Sequence, residues 1–428
     1  MMPRFAGMRA LSPLVKICDF DSSPRRVDSL CSSKRCFFGG KAAGKTDFIE
    51  LIYLIIKDNK RTVIIMEKVR VGIIGCGGIA NGKHMPSLAK LKHVEMVAFC
   101  DIIVKKAEEA AKKYGTPDAK VYEDYKELLA DKTIDVVHVC TPNRSHSFIT
   151  VDALESGKHV MCEKPMAINS VEAKKMLDAA ERTGKKLTIG YQTRNRADAV
   201  YLKKLVDDGM FGDIYYAKAT ALRRRAVPTW GVFLNEYEQG GGPLIDIGTH
   251  ALDLTLYMLN NYKPKYCVGT TYHKLSQGNP EHQGNAWGNW DPEKFTVEDS
   301  AFGFVVMENG ATINLESAWA LNVADPREAV TSFCGTLAGA DMDKGLRING
   351  VAHNAQYEFK PNLDAKGAAF FDGNGNESPA DREARLWIEA VVNDTEPLVT
   401  PEQAYTVTRI LEGIYTSAKT GDIYKFEN

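Results

Sequence analysis

The sequence predicts an α/β protein in two parts: a doubly wound parallel sheet, then a C-terminal α/β domain with a large, mostly antiparallel open sheet. Near-continuous Val/Ile runs separated by amphipathic stretches between Val69 and Tyr191 are the first reason, because a strand covered by helices on both faces has no polar side to alternate with. A glycine turn, Gly75-x-Gly77-x-x-Ala80, directly after the first of those runs is the second. The third is a change of pattern after residue 192, where strands lengthen and alternate apolar with polar side chains.

In the first part, strands are expected at 69–74, 94–100, 134–140, 159–162 and 186–190, with helices at 104–114, 145–156 and 170–183 between them. In the second, strands are expected at 214–224, 266–275, 300–307, 311–321 and 329–335. Glu308-Asn309-Gly310 sits where a hairpin has to turn. One face of this sheet carries a helix over 244–259, and helices at 381–393 and 401–420 close the structure. The domains are therefore drawn at 66–191 and 192–428. Residues 1–65 show no comparable periodicity and are expected to lie outside the fold, as an extension ahead of a natural start at Met66. A targeting peptide is the competing reading, since the segment is basic and rich in Ser, but it lacks the apolar run of a secretory signal.

A chain of 428 residues with 44% hydrophobic content can bury two cores. Its net charge of −1 argues against nucleic-acid or anionic-membrane partners, and no apolar run approaches the ~18 residues a bilayer span requires. Nine scattered cysteines without a C-x-x-C pair read as reduced core thiols of a cytoplasmic protein. The nine histidines form no metal-ligand cluster, and no metal is expected.

Gly75 lets the chain turn at the strand end, Gly77 lets backbone approach a pyrophosphate, and Ala80 permits close packing of helix on strand. Gly78 and Ile79 belong to the same turn. Alone this pattern is weak, but here a strand precedes it, a helix follows it, and Asp101 ends the second strand. A carboxylate there accepts both ribose hydroxyls and repels a 2′-phosphate, and Ile102 follows in place of Ser or Arg, so the expected cofactor is NAD. Thr141, Pro142 and Asn143 end another strand at the carboxyl edge, against the ribose and nicotinamide, and His146 begins the next helix within reach of the same place.

Glu163-Lys164-Pro165 follows the strand at 159–162. Pro165 biases Lys164 away from helical geometry and allows a cis bond. A lysine held there points its ammonium at the nicotinamide and at a substrate hydroxyl. A Lys-Pro pair is by itself a common surface turn. Further on, Gly240-Gly241-Gly242-Pro243 leads to Asp246 and His250, four residues apart and so on one helix face, with Gly248 keeping that face uncrowded. The glycines suggest close approach of cofactor or substrate. Histidine as a residue type titrates near neutrality, so His250 suits a general base, with Asp246 orienting it or relaying charge to Lys164.

Together these motifs closely resemble the glucose–fructose oxidoreductase/inositol dehydrogenase/rhizopine-catabolism (Gfo/Idh/MocA) family, over roughly Val69 to the C-terminus. The resemblance implies a Rossmann domain followed by an open-sheet domain, assembly into dimers or higher homo-oligomers through that sheet, and Lys164, Asp246 and His250 as the catalytic set. Glu163 and Lys164 are counted with the cofactor site. For substrate, Lys164, Gln192, Arg194, Arg223, Trp230, Asp246 and His250 are the candidates, with Trp230 stacking on a sugar face. The polar, aromatic loop from Asn285 through Trp287 and Trp290 suits a glycoside or a subunit contact.

The stretch from Arg223 to Asp253 looks most like glycoside-oxidising members, which act at the sugar C3 hydroxyl and leave a ketone on which a partner enzyme eliminates the aglycone. An inositol or polyol dehydrogenase and a redox-neutral NAD-dependent glycosidase remain open. The last needs a further acid or base, for which only Tyr191 and His146 present themselves. A non-catalytic sugar or dinucleotide sensor is disfavoured by the retained Lys164, Asp246 and His250.

Overall fold

The computed structural model describes residues 68–278, 283–363 and 377–427, together with three short strands nearer the N-terminus. Those strands, β1 (Val15–Cys18), β2 (Ile52–Lys57) and β3 (Lys60–Met66), pair antiparallel into a small sheet of their own. The expectations for residues 1–65 otherwise fall outside the described residues.

A six-stranded sheet follows, built from β4 (Val69–Ile74), β5 (Val94–Cys100), β6 (Lys120–Tyr122), β7 (Val136–Val139), β8 (His159–Cys162) and β9 (Leu187–Ile189). Every neighbouring pair is parallel and the order is β6-β5-β4-β7-β8-β9, the doubly wound arrangement whose switch point lies between β4 and β7. Helices at Val104–Tyr114, Asn143–Glu155 and Ser170–Thr183 fall within two residues of expectation. Their side chains explain where they start: Asn169, for example, accepts a hydrogen bond from the Glu172 amide at 2.9 Å as an N-cap. The sequence pattern did not reveal β6, whose three edge residues are exposed or only half-buried and carry no apolar run.

The second sheet has nine strands in the order β17-β16-β15-β14-β10-β13-β12-β11-β18. These are β10 (Ile214–Leu222), β11 (Pro264–Tyr272), β12 (Ser300–Met307), β13 (Thr312–Ala318), β14 (Arg327–Gly335), β15 (Ala338–Asp341), β16 (Arg347–Ala352), β17 (Ala355–Phe359) and β18 (Tyr424–Lys425). Only β10 and β13 run parallel. The hairpin at Glu308–Gly310 turns with Gly310 at φ 87°. Strands β15 to β17 were not expected, because short Gly- and Ala-containing segments such as Ala338-Gly-Ala-Asp lack the β-branched alternation that marks a strand.

Helix Pro401–Thr420 lies so close to the second sheet that two strand positions tolerate no side chain: a Cβ at Gly269 or at Gly303 would come within 2.5 Å of Ile414. Helix Pro379–Val392 instead returns to the first sheet. Its Trp387, Ile388 and Val391 share a core with Val69, Val71 and Ile73 of β4 and with Met85 and Leu88. The opposite face of that sheet is continuous with the core of the second, from Ile189 through Leu252 and Ile313 to Ile414.

A buried ion pair ties the turn that follows β9, Gln192–Asn195, to the helix on the second sheet. Arg194 is 1% exposed. Its guanidinium donates to both oxygens of Asp253 at 2.9 and 2.6 Å, and also to Leu398 O and Gln403 Oε1. Its plane lies 4.5 Å from the Tyr257 ring. Every face is taken, so the expectation of Arg194 as a substrate contact is corrected: it is a structural cation.

Two outcomes follow from this packing. Arg194→Ala leaves Asp253 buried without its counter-charge and is expected to lower unfolding free energy by about 3–5 kcal/mol in urea titration. Unchanged stability with weakened sugar affinity would return Arg194 to the binding site. Gly269→Val forces Ile414 and its helix outward and should cost about 1–3 kcal/mol by the same measurement, whereas a neutral result would mean that the helix shifts freely.

Candidate active site

At the carboxyl edge of the first sheet, Gly75 adopts φ 89° and faces the Cys140 carbonyl so closely that a Cβ would stand 2.6 Å from it. Its role is the turn itself. Gly77 and Gly78 differ: a Cβ at either meets nothing within 4 Å, so their backbone faces open space where the next helix begins. A side chain there would fill the volume that a pyrophosphate needs, and the amides of Gly78 and Ile79 stand at the helix start. Asn81 braces the turn through the Cys76 and Gly77 carbonyls. Ala80 is buried beneath it.

Asp101 is held at the end of β5 by amides that donate to it from Cys76 (2.9 Å) and Ile103 (2.8 Å). Each carboxylate oxygen retains a lone pair for a ribose hydroxyl. Exposed Ile102 and Ile103 follow it directly, where a residue binding a 2′-phosphate would otherwise stand. Half-buried Thr141 and exposed Pro142 complete the edge. These residues fit a bound dinucleotide.

One expected cofactor contact, His146, is corrected. The His146 ring is buried with Nδ1 2.7 Å from Pro165 O and Nε2 2.8 Å from Thr141 O, so it clasps the Lys-Pro turn to the strand edge. Burial pulls it below the ordinary histidine range, although both carbonyls favour its charged form. Asn143 is likewise buried, its amide donating to Gln239 O at 3.0 Å and so joining the two halves of the site.

Lys164 and Pro165 are joined by a cis peptide bond, as the motif allows. The Lys164 ammonium crosses to the second sheet's helix and donates to Asp246 Oδ1 at 2.8 Å and to the Asp246 carbonyl at 2.9 Å. The other carboxylate oxygen accepts from Trp319 Nε1 at 2.9 Å. Burial pushes the Asp246 carboxyl up, but Lys164, Arg223 and Trp319 more than offset it and hold it below its usual value. Asp246 lies in a π-helical turn, Leu244–Gly248, that runs directly into helix Thr249–Leu259 bearing His250. The wider turn still leaves Asp246 and His250 as neighbours on one side. His250 is half-buried, its Nδ1 is enclosed without a hydrogen-bond partner, and its ring meets Tyr191 edge-on at 6.3 Å. Burial, then the Lys164 charge, brings its pKa down to about 3.

Beneath the lysine lies a buried network that the sequence did not reveal. Glu163 Oε1 accepts from Lys83 at 2.7 Å and from His84 Nε2 at 2.8 Å, while Oε2 accepts from the Lys164 amide at 3.1 Å. Lys83 also pairs with Glu383 at 2.7 Å, on the returning helix. Burial raises both carboxyls. Lys83 and His84 overcome it at Glu163, which lies well below the ordinary range, but not at Glu383, which stays above it. His84 Nδ1 lies 2.9 Å from His138 Nδ1, so one of the two rings donates to the other. Glu163 is thus the hub that fixes the Lys164 backbone, and its expected place among the cofactor contacts is corrected. Lys83 and His84 carried one signal, their position a single turn beyond the glycine loop.

Each position of the triple glycine is closely approached by the protein itself. A Cβ at Gly240 would meet Ile168 at 2.7 Å, at Gly241 the Tyr415 hydroxyl at 2.1 Å, and at Gly242 the Glu298 carbonyl at 2.2 Å. The run is bare so that Tyr415 and Glu298 can pack there. Glu298 then receives the Gly242 and Leu244 amides and the Tyr415 hydroxyl, capping the helix that carries Asp246. Burial pushes its carboxyl up to about 7. Gly248 similarly makes room for Ser317, 3.0 Å from a would-be Cβ.

Of the remaining substrate candidates, Gln192 is half-buried in a 3₁₀ turn. Arg223, at the end of β10, is clamped by Glu328 (Nε–Oε2 2.7 Å) and lies 5.2 Å from the Trp287 ring. Trp230 and Trp287 touch edge to face at 4.9 Å. Trp290, expected beside Trp287 in an open loop, is 4% exposed and packs on Phe295. Tyr191 is fully buried, with its hydroxyl on Thr249 Oγ1 at 2.9 Å. Among the described residues no His/Cys/Asp/Glu group could hold a metal. Cys76, Cys100, Cys140, Cys162 and Cys267 are free and buried, and Cys334 is free and exposed. No described helix is long and apolar enough to cross a membrane.

Residues 69–191 match the oxidoreductase family with an NAD-binding Rossmann fold, Gfo/Idh/MocA, and residues 199–338 match the C-terminal domain of the same family. The chain is 36% identical over 364 residues to D-glucoside 3-dehydrogenase of Escherichia coli, covering 82% of this chain and 96% of the relative. Inositol 2-dehydrogenase of Salmonella typhimurium is 33% identical over 198 residues, 46% of this chain and 56% of that one. In fold, levoglucosan dehydrogenase in complex with NADH aligns with a TM-score of 0.71 at 20% identity, over 85% of this chain and all of that one. The chain belongs to the Gfo/Idh/MocA family of NAD-binding oxidoreductases.

Proposed function

We propose that this oxidoreductase removes a hydride from the C3 carbon of a glucoside and leaves a 3-keto sugar. The observation that carries the reading is the assembly of Lys164, Asp246 and His250 across the junction of the two sheets, above an open glycine turn that suits a dinucleotide. Likeness to D-glucoside 3-dehydrogenase over nearly that enzyme's whole length supports the choice of substrate. In this reading residues 66–191 carry NAD, and residues 192–428 carry the sugar and the contacts between subunits.

Bound NAD supplies the hydride acceptor. The chain does the rest: Gly77, Gly78 and Asp101 hold the dinucleotide, and the Lys164 ammonium, aimed by Asp246, binds the hydroxyl and stabilises its developing negative charge. His250, neutral at working pH, accepts the hydroxyl proton. With Nδ1 enclosed, the exchange falls to Nε2. Inositol oxidation is the second reading, favoured by the match to inositol 2-dehydrogenase. A redox-neutral glycosidase loses support, because Tyr191 and His146, its candidate extra groups, are both engaged inside the protein.

Subunit pairing through the open sheet is part of the proposal. Cross-strand neighbours Val268 and Phe304 are 40% and 41% exposed on it, more apolar surface than a solvated face needs. The free thiols support a cytoplasmic setting. A separate eliminating enzyme is the proposed consumer of the 3-keto product.

A single-turnover assay with methyl glucoside and myo-inositol, following nicotinamide absorbance and product mass, tests the substrate. A 3-keto glucoside as product supports the reading, and turnover of inositol alone moves the assignment to polyols. Lys164→Met and His250→Ala should each lower kcat/KM by about 10²–10⁴-fold, and near-normal turnover in both would overturn the catalytic assignment. A histidine base works in its neutral form, above its pKa. With that pKa pushed down to about 3, the acid limb attributable to His250 in a kcat/KM profile should lie well below the ordinary 6.5. A His250-dependent limb at 6.5 or above would contradict this environment.

A further inference from the structure

Of the chain's five tryptophans, three are buried: Trp319, Trp290 and Trp387. The other two, Trp230 at 52% and Trp287 at 43% exposure, stand against each other in solvent. Water disfavours that exposure, so something has to hold them there. The holding is elaborate. Asn285 makes reciprocal bonds with Val227, its Oδ1 accepting from the amide at 2.8 Å and its Nδ2 donating to the carbonyl at 3.0 Å. The Ala286 amide donates to Arg225 O at 3.0 Å, and the Thr229 hydroxyl donates to the Trp287 carbonyl at 2.6 Å. Gln283 and Trp290 close the loop with a second reciprocal pair.

The exposed pair also leads back to the reacting centre. Trp319, bonded to Asp246, meets Phe233 at 6.4 Å; Phe233 meets Trp230 at 5.9 Å; and Trp230 meets Trp287 at 4.9 Å. Arg223 covers the Trp287 ring from the side of Asp246 and is neutralised by Glu328. The result is a continuous aromatic wall running outward from the catalytic carboxylate and capped by a charge-compensated guanidinium.

We propose that Trp230 and Trp287 form a subsite for the aglycone of the substrate, built for an uncharged ring. The inference rests on the glucoside reading above and narrows it: with C3 of the glucose at Lys164 and His250, the anomeric substituent leaves the sugar away from the reacting carbon and meets this wall. Rigid tryptophans offer large apolar faces at little cost in conformational freedom, and the Arg223 guanidinium beside them is already paired with Glu328.

The test compares kcat/KM for 4-nitrophenyl β-D-glucoside and methyl β-D-glucoside, with the 3-keto product identified by mass. The wild-type protein should prefer the aryl substrate. The aryl-to-methyl ratio should fall about tenfold in Trp287→Ala and recover in part in Trp287→Phe, the size expected for one aromatic contact. Trp230→Ala should lower the same ratio, and it serves as the test if Trp287→Ala fails to fold. A wild-type protein that oxidises methyl glucoside at C3 but keeps the same ratio in both alanine variants overturns the subsite and leaves the glucoside reading standing. Oxidation of neither glucoside overturns that reading, and the subsite with it.

Discussion

One charge-assisted contact, the Lys164 ammonium on Asp246, joins the two halves of this protein at the candidate site. Lys164 stands at the end of a strand of the parallel sheet, and Asp246 in the first turn of a helix on the other sheet. Neither is useful alone. The lysine needs a fixed direction, and a buried carboxylate needs a cation. The same pair sets the condition of His250: Lys164 adds to burial in keeping the imidazole neutral, while Asp246 pulls the other way. Trp319 holds the second carboxylate oxygen, so the aromatic chain from Trp319 to Trp287 and the Lys164–Asp246 pair share an anchor.

The buried charges around Glu163 make sense as support for that contact. Enclosing Lys83, Glu163 and Glu383 is costly, and such clusters add little net stability compared with apolar packing. What they provide is position. Glu163 grips the Lys164 amide, Lys83 reaches it from the helix behind the glycine turn, and Glu383 brings in a helix from near the end of the chain. One ammonium between two carboxylates divides their behaviour, Glu163 held ionised and Glu383 pushed towards its neutral form. The glycine turn and Lys164 are therefore linked through a chain of short polar contacts.

Several motifs owe their composition to packing against the protein itself. The triple glycine is bare because Tyr415 and Glu298 occupy the space above it, and Gly269 and Gly303 because a helix lies on them. Such glycines look in the sequence like ligand cradles. Gly77 and Gly78, by contrast, face open space. Local sequence cannot separate the two cases, since the absence of a side chain says only that something comes close.

The sequence by itself determined the parts whose signal is periodic or local: the parallel strands with their glycine turn, the alternating strands of the second sheet, the Lys-Pro corner, and Asp246 and His250 as helical neighbours. Period and turn chemistry act over a few residues, so these were legible without the fold. The tertiary structure alone decided which polar groups meet across long separations. It sent Arg194 into the core against Asp253, His146 onto two carbonyls, and Glu163 onto Lys83, eighty positions away. It also buried Trp290 and left Trp287 in solvent, three residues apart on one loop. Burial and pairing belong to the assembled surfaces, and a polar or aromatic side chain carries no local mark of which surface will close over it.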